Sequence, residues 1–133
     1  MVPGSSAMAL TAYLDEIKTD FASCEVVAYV DLGSRLVLRV NSENARPQEW
    51  LDRLGVAAAE MLNGELAQSF GTAGGHSDEA MIETGGVRFV FVRSPADPIE
   101  ALCCTCTPDT DIEALTARMR DTLIRLAETG GPA

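Results

Sequence analysis

The chain has 133 residues, enough for one domain with a real hydrophobic core. Hydrophobic residues make up 47% of it, which places it with globular rather than disordered sequences. Twenty acidic against ten basic residues give a net charge of −10 and a pI near 4.4. Such a surface repels phosphate backbones and anionic lipid, so neither nucleic acid nor membrane is an expected partner.

The first six residues lack the basic start and apolar run of a secretory signal, and no stretch is long enough to span a bilayer as a helix. The four cysteines stand at 24, 103, 104 and 106, three of them crowded onto one predicted strand. That spacing suits reduced, buried thiols in a cytoplasmic protein better than a disulfide framework. The expected layout is a disordered segment over 1–8, a single domain over 9–128 and a frayed tail over 129–133.

Leu10, Tyr13, Leu14, Ile17 and Phe21 fall at helical spacing and predict a first helix, with Ser5 or Ser6 placed to cap it. Residues 25–31 read as a strand rich in β-branched side chains. Asp31-Leu32-Gly33-Ser34 makes a turn, with Gly33 supplying the positive φ such turns demand. Residues 35–40 return as a second strand, Leu36, Leu38 and Val40 on one face, Val37 and Arg39 on the other. Pro47 suits the first helical turn. Beyond it, Trp50, Leu51, Leu54, Ala57, Ala58, Met61 and Leu62 form an apolar stripe wider than one sheet contact requires. Ala57, Ala58 and Ala59 leave room for a second helix to approach. Asn63-Gly64 ends or bends this helix, and Leu66 and Phe70 point to a further turn.

Residues 71–78 read as a glycine-rich loop. A short edge strand follows over 79–84, a Thr84-Gly85-Gly86 hairpin turn, and a strongly apolar strand over 87–93. Pro95 and Pro98 bracket a loop before a last strand over 99–107. Thr110 and Glu113 have capping-box spacing. They open a third helix that carries Ile112, Leu115, Met119, Leu123 and Leu126 on one face. Val26-Val27, Leu36-Val37-Leu38 and Val90-Phe91-Val92 put apolar groups on both sides of the sheet, so both faces must be covered. The fold class is α+β: an α/β/α sandwich around five antiparallel strands.

No segment carries a catalytic constellation. Cys104 and Cys106 share a strand face and Cys103 the other, without the Cys-x-x-Cys spacing of a zinc knuckle, so small buried thiols explain them better than a metal or redox site. His76, the only histidine, neighbours Ser77 and Asp78, but a triad needs groups that converge in space, and a solvated loop histidine is the simpler reading. The glycines over 71–75 lack the Gly-Lys-Ser/Thr ending of a phosphate loop and precede a strand. The acidic residues are scattered singly on polar helix faces. No catalytic residue, metal site or cofactor is therefore expected, and the chain is read as a non-enzyme. Trp50 serves equally as core or as an interface anchor.

The order helix–strand–strand–helix–strand–strand–strand–helix resembles the roadblock (dynein light chain roadblock-type) domain. The residues that carry the likeness are Val27-Ala28-Tyr29-Val30-Asp31 with Gly33, the alanine-rich helix over 50–62, residues 87–93 leading into 98–107, and Pro108-Asp109-Thr110-Asp111-Ile112. The likeness runs from about residue 10 to residue 127. It departs from the usual compact pattern in its longer 71–78 loop and cysteine-rich last strand.

The resemblance implies a homodimer, or a heterodimer with a related chain, in which second helices pair and third strands join two sheets. Trp50, Leu54, Ala57, Ala58 and Met61, with Glu79, Ala80, Met81, Ile82 and Glu83, would then form the seam. It further implies a partner or regulator of small Ras-like GTPases, or a scaffold around one. No residue stands out as an arginine finger, Arg35, Arg39 and Arg53 being possible contacts. The alternatives are a small-ligand-binding sensor without a GTPase partner and a minor enzyme using His76 or the cysteines.

Overall fold

The computed structural model describes residues 3–64 and 78–129, with side chains from Met8 onward. The elements run in the expected order: α1 (Pro3–Asp20), β1 (Cys24–Asp31), β2 (Leu36–Ser42), α2 (Gln48–Asn63), β3 (Glu79–Thr84), β4 (Val87–Arg93), β5 (Glu100–Cys106) and α3 (Ile112–Glu128). The strands form one antiparallel sheet in the order β2-β1-β5-β4-β3. β3 lies at an edge, as its short, polar-flanked sequence suggests. α1 starts at Pro3, so residues 3–8 are helical where a disordered segment was expected, and the Ser5 or Ser6 cap falls inside the helix.

Alternation along the strands builds two cores. Val27, Tyr29, Val90, Val92, Leu102 and Cys104 point to one face, where Leu10, Leu14 and Ile17 of α1 and Leu115, Met119, Leu123 and Leu126 of α3 close over them. Ala28, Val30, Phe91, Ala101 and Cys103 point to the other, under Leu54, Ala58, Ala59 and Leu62 of α2. Each large apolar side chain buried this way contributes about 1.5–3 kcal/mol before the entropy of ordering the chain is set against it. Two helices on one face and one on the other satisfy the requirement that both faces be covered.

Local chemistry explains most boundaries, and three expectations are corrected. Gly33 does not take positive φ; in the β1–β2 hairpin that conformation belongs to Arg35, at φ 61°. The turn is held instead by Asp31, whose Oδ1 accepts from the backbone N–H of Gly33 at 2.9 Å and of Ser34 at 3.4 Å. The register between β1 and β2 shifts at Tyr29/Val30, with Val30 opposite Val37 and Tyr29 opposite Arg39. Leu38 is thereby an inserted residue, a β-bulge. Strict alternation consequently breaks, and Val37 and Val40 share the α2 face. At α3 the cap is Asp111, which accepts from Ala114 N–H at 3.1 Å, rather than Thr110. The Thr110 hydroxyl is engaged with Ser23 at 2.6 Å, which ties α3's entry to the turn after α1.

The Gly85-Gly86 turn matches expectation, since both residues take positive φ (59° and 77°), the conformation of a tight two-residue hairpin. Pro47 stands just outside α2 as its cap, and Gly64 closes the other end with its N–H on Glu60 O. The continuation through Leu66 and Phe70, the 71–77 loop with His76, and residues 130–133 lie outside the described residues.

Candidate functional site: the flank of α2 and the edge of β3

α2 crosses one face of the sheet, packing most heavily on β2 and also reaching β3 and β4. Its Gly55 lies against the hairpin tip so closely that a Cβ there would be 2.4 Å from the carbonyl oxygen of Arg35. Arg35 also pairs with Glu60 at 3.2 Å. On the same face, Phe89 of β4 and Ala80 of β3 are only partly buried and Ile82 is exposed. Phe89 and Phe91 of β4 face α2, and their cross-strand neighbours on β3, Ile82 and Ala80, share that face.

The seam residues expected from the sequence divide into two groups. Leu54 and Ala58 are buried within the chain, as part of the core beneath α2. Trp50, Ala57 and Met61 are half-buried and run along the helix flank. Trp50 stands 6.5 Å from Phe89, ring centre to ring centre, and the Arg46 guanidinium lies 4.6 Å from the Trp50 ring centre. An open cleft of about 210 Å³ is lined by Trp50, Arg53, Leu54, Ala57 and Phe89. Beside it, Ile82 is 36% exposed; Met81, 48% exposed, pairs with Val90 and lies on the opposite face of β3.

The acids of β3 are neutralised inside the chain. Glu79 pairs with Arg120 of α3, and Glu83 pairs with Arg88 at 2.8 Å. Among the described residues, no strand lies beyond β3, so this edge is a template for another strand. Phe89 lines this surface and was not singled out from the sequence, nor was Val56, 43% exposed on α2. Phe89 was legible in the Val87–Phe89–Phe91 alternation; Val56 was hidden among polar neighbours.

Of the arginines considered as contacts, Arg35 is engaged with Glu60 and Arg53 with Glu49. Arg39 lies on β2, remote in the strand order from this edge.

The cysteines converge further than their spacing implied. Cys24 is the cross-strand partner of Cys106 and joins Cys104 and Cys106 in one core, with Cys103 alone in the other. All four are free and buried. A hydrogen bond with Cys104 pushes the Cys24 thiol up to about 12, Cys106 opposes this in part, and burial adds to it. Burial pushes Cys103 up as well, and Cys106 is raised first by Cys24 and then by burial. Since the thiolate is the reactive form, these are poor nucleophiles and poor metal ligands at neutral pH. Among the described residues, no group of three or more His, Cys, Asp or Glu is arranged to hold a metal ion. Nor is any helix among them long and apolar enough to cross a membrane.

Neither a protein-family model nor a curated protein sequence matches the chain. Solved structures do. The gliding protein MglB from Thermus thermophilus superposes with a TM-score of 0.72 at 17% identity, over 93% of this chain and 92% of that one. A Roadblock/LC7 domain from Streptomyces avermitilis gives 0.71 at 14% identity, over 89% and 94%. An MglB with a tetrameric arrangement gives 0.69 at 13% identity, over 90% and 85%. Identities this low speak for the fold and not for the activity. The five-stranded sheet covered by α1 and α3 on one side and α2 on the other is a roadblock-type fold.

Proposed function

We propose that the protein is a non-catalytic interaction module that pairs with a second copy, or with a related chain, through the flank of α2 and the edge of β3. The observation that carries this reading is the adjacency of a half-covered apolar strip (Trp50, Ala57, Phe89, Ile82) to an unpaired strand edge. Burying that strip against a twofold mate removes apolar surface from water, while the two β3 edges satisfy each other's backbone groups. A solved MglB in a tetrameric arrangement supports self-association of this fold.

The composite surface then serves a Ras-like small GTPase, as regulator or scaffold, holding its switch segments in one state by surface complementarity. The likeness to MglB structures supports this reading at the level of fold. Free, buried thiols accord with a reducing compartment such as the cytoplasm. A second reading, a small-ligand-binding sensor, is favoured by a cavity on the α1 side of the sheet.

Light scattering at micromolar concentration tests the pairing. The native chain is expected to be dimeric, and Ile82→Arg and Ala57→Glu are expected to shift it to monomer while circular dichroism stays native. A monomeric native chain overturns the pairing. Affinity capture from source lysate with GTP or GDP analogues then tests the partner, and the absence of any nucleotide-dependent GTPase counts against that part.

A further inference from the structure

Between α1 and the ends of β1, β2 and β5 lies a cavity of about 310 Å³, on the sheet face opposite α2. Its size is at the lower end of the range for small-molecule pockets. Two carboxylates line it, Asp31 and Glu100. They are direct cross-strand neighbours in the β1–β5 ladder, a placement in which like charges repel. Among the described residues neither forms an ion pair. Asp97 adds a third negative charge near enough to act on Tyr29 and Glu100. The Tyr29 side chain is buried and lines the same cavity, and desolvation holds the Glu100 carboxyl above its ordinary range. Asp31 spends one oxygen on the turn amides of Gly33 and Ser34, which leaves the other.

The opposite charge is also present, set apart. Arg39, the cross-strand neighbour of Tyr29, lines this cavity and two further clefts beside α1, and it too forms no ion pair among the described residues. The bulge at Leu38 brings two successive residues, Leu38 and Arg39, to one cavity, which strict alternation forbids. Leu10, Leu38 and Ile99 supply apolar wall, and Leu38 and Ile99 are 52% and 46% exposed. Two carboxylates set beside this apolar wall suit an organic ammonium. Arg39 repels a polyamine and attracts a carboxylate.

We propose that this cavity binds a free aliphatic amino acid, with its ammonium group on Asp31 and Glu100, its carboxylate on Arg39 and its side chain against Leu10, Leu38 and Ile99. The site stands apart from the α2–β3 surface and does not depend on pairing there. Its occupation would bridge α1, β1, β2 and β5 and offset the like charges that Asp31 of β1 and Glu100 of β5 bring together.

Titration calorimetry on the full chain with L-valine, L-leucine, L-isoleucine and L-methionine tests it. Saturable binding is expected for at least one. For isoleucine the two half-ligands, 2-methylbutylamine and 3-methylpentanoate, should each bind ~10-fold or more weakly than the amino acid. Arg39→Ala, at an exposed position, should lower amino-acid affinity by a similar factor while leaving the amine's unchanged, and Glu100→Gln should weaken both. The proposal falls if none of the four amino acids saturates by ~10 mM, if the amine matches the amino acid, or if Arg39→Ala has no effect in a protein whose circular dichroism is native. Light scattering on the same samples reports pairing separately, so either reading can fail without the other.

Discussion

The guanidinium of Arg93 donates a 2.9 Å hydrogen bond to the carbonyl oxygen of Leu62, joining the end of β4 to the last turn of α2. The same side chain, 5% exposed, donates to Pro98 O at 2.6 Å and to the Asn63 side chain, and it faces Asp78 at 3.7 Å. Burial lowers its pKa and Asp78 opposes that. A cation at the C-terminus of a helix also complements the helix dipole.

Arg93→Met is expected to destabilise the fold by ~2–4 kcal/mol, because the buried Leu62 carbonyl loses this donor and the Pro98 and Asn63 bonds go with it. Arg93→Lys should recover only part, since an ammonium lacks the planar fork that reaches several acceptors at once. Urea unfolding of the two variants checks this; equal stability of Arg93→Met and the native chain would show that the bridge is dispensable.

Gly55→Ala should cost ~1–3 kcal/mol through overpacking, even though alanine is the better helix former by about 1 kcal/mol. The obstacle is backbone, the Arg35 carbonyl 2.4 Å from the added Cβ, so α2 must move off the hairpin. At Gly85 the space is open but φ is +59°, and alanine should cost only about 1 kcal/mol. Thermal melts should therefore rank Gly55→Ala below Gly85→Ala; the reverse order contradicts the tight seat of α2.

All four thiols should be silent to Ellman's reagent in the native protein at pH 7.5 and react together once urea unfolds it. Burial shields all four from the reagent, and the raised pKa values of Cys24, Cys103 and Cys106 leave those three almost no thiolate. Rapid labelling of Cys24 or Cys106 without unfolding would show that this core opens locally.

The raised pKa of Glu100 has a definite sign for stability. A carboxyl that is harder to ionise when folded contributes stability that is fully present below its ordinary value near 4.5. That contribution is lost as pH rises through the higher folded value. Glu100→Gln removes this titration, so its melting temperature should fall less than that of the native chain as pH rises from 4.5 toward neutrality. Parallel curves for the two proteins would mean that Glu100 ionises in the fold as freely as in the unfolded chain.

Element order, the layered α+β class and, outside the bulged β2, the facing of individual strand residues were legible without coordinates. Leu115, Met119, Leu123 and Leu126 repeat at helical spacing and all are buried in one core; Cys103 and Cys104 alternate across the sheet as a period of two requires. The misreadings are local competitions between adjacent candidates. Thr110 and Asp111 both satisfy the chemistry of a cap, and Asp111 takes the role while Thr110 bonds Ser23. Gly33 and Arg35 both lie in one turn, and the glycine is not the residue with positive φ.

Periodicity, turn chemistry and charge, all carried by near neighbours in the chain, determined which segments are helix or strand and which of their faces are oily. Only the tertiary structure decided which distant residues meet: Arg93 beneath Leu62, Cys24 beside Cys106, Asp31 opposite Glu100, and Gly55 of α2 against the Arg35 carbonyl. Strand register and helix placement are set by packing summed over the whole core, and a single bulge at Leu38 is enough to redirect Arg39 in a way that local spacing does not encode.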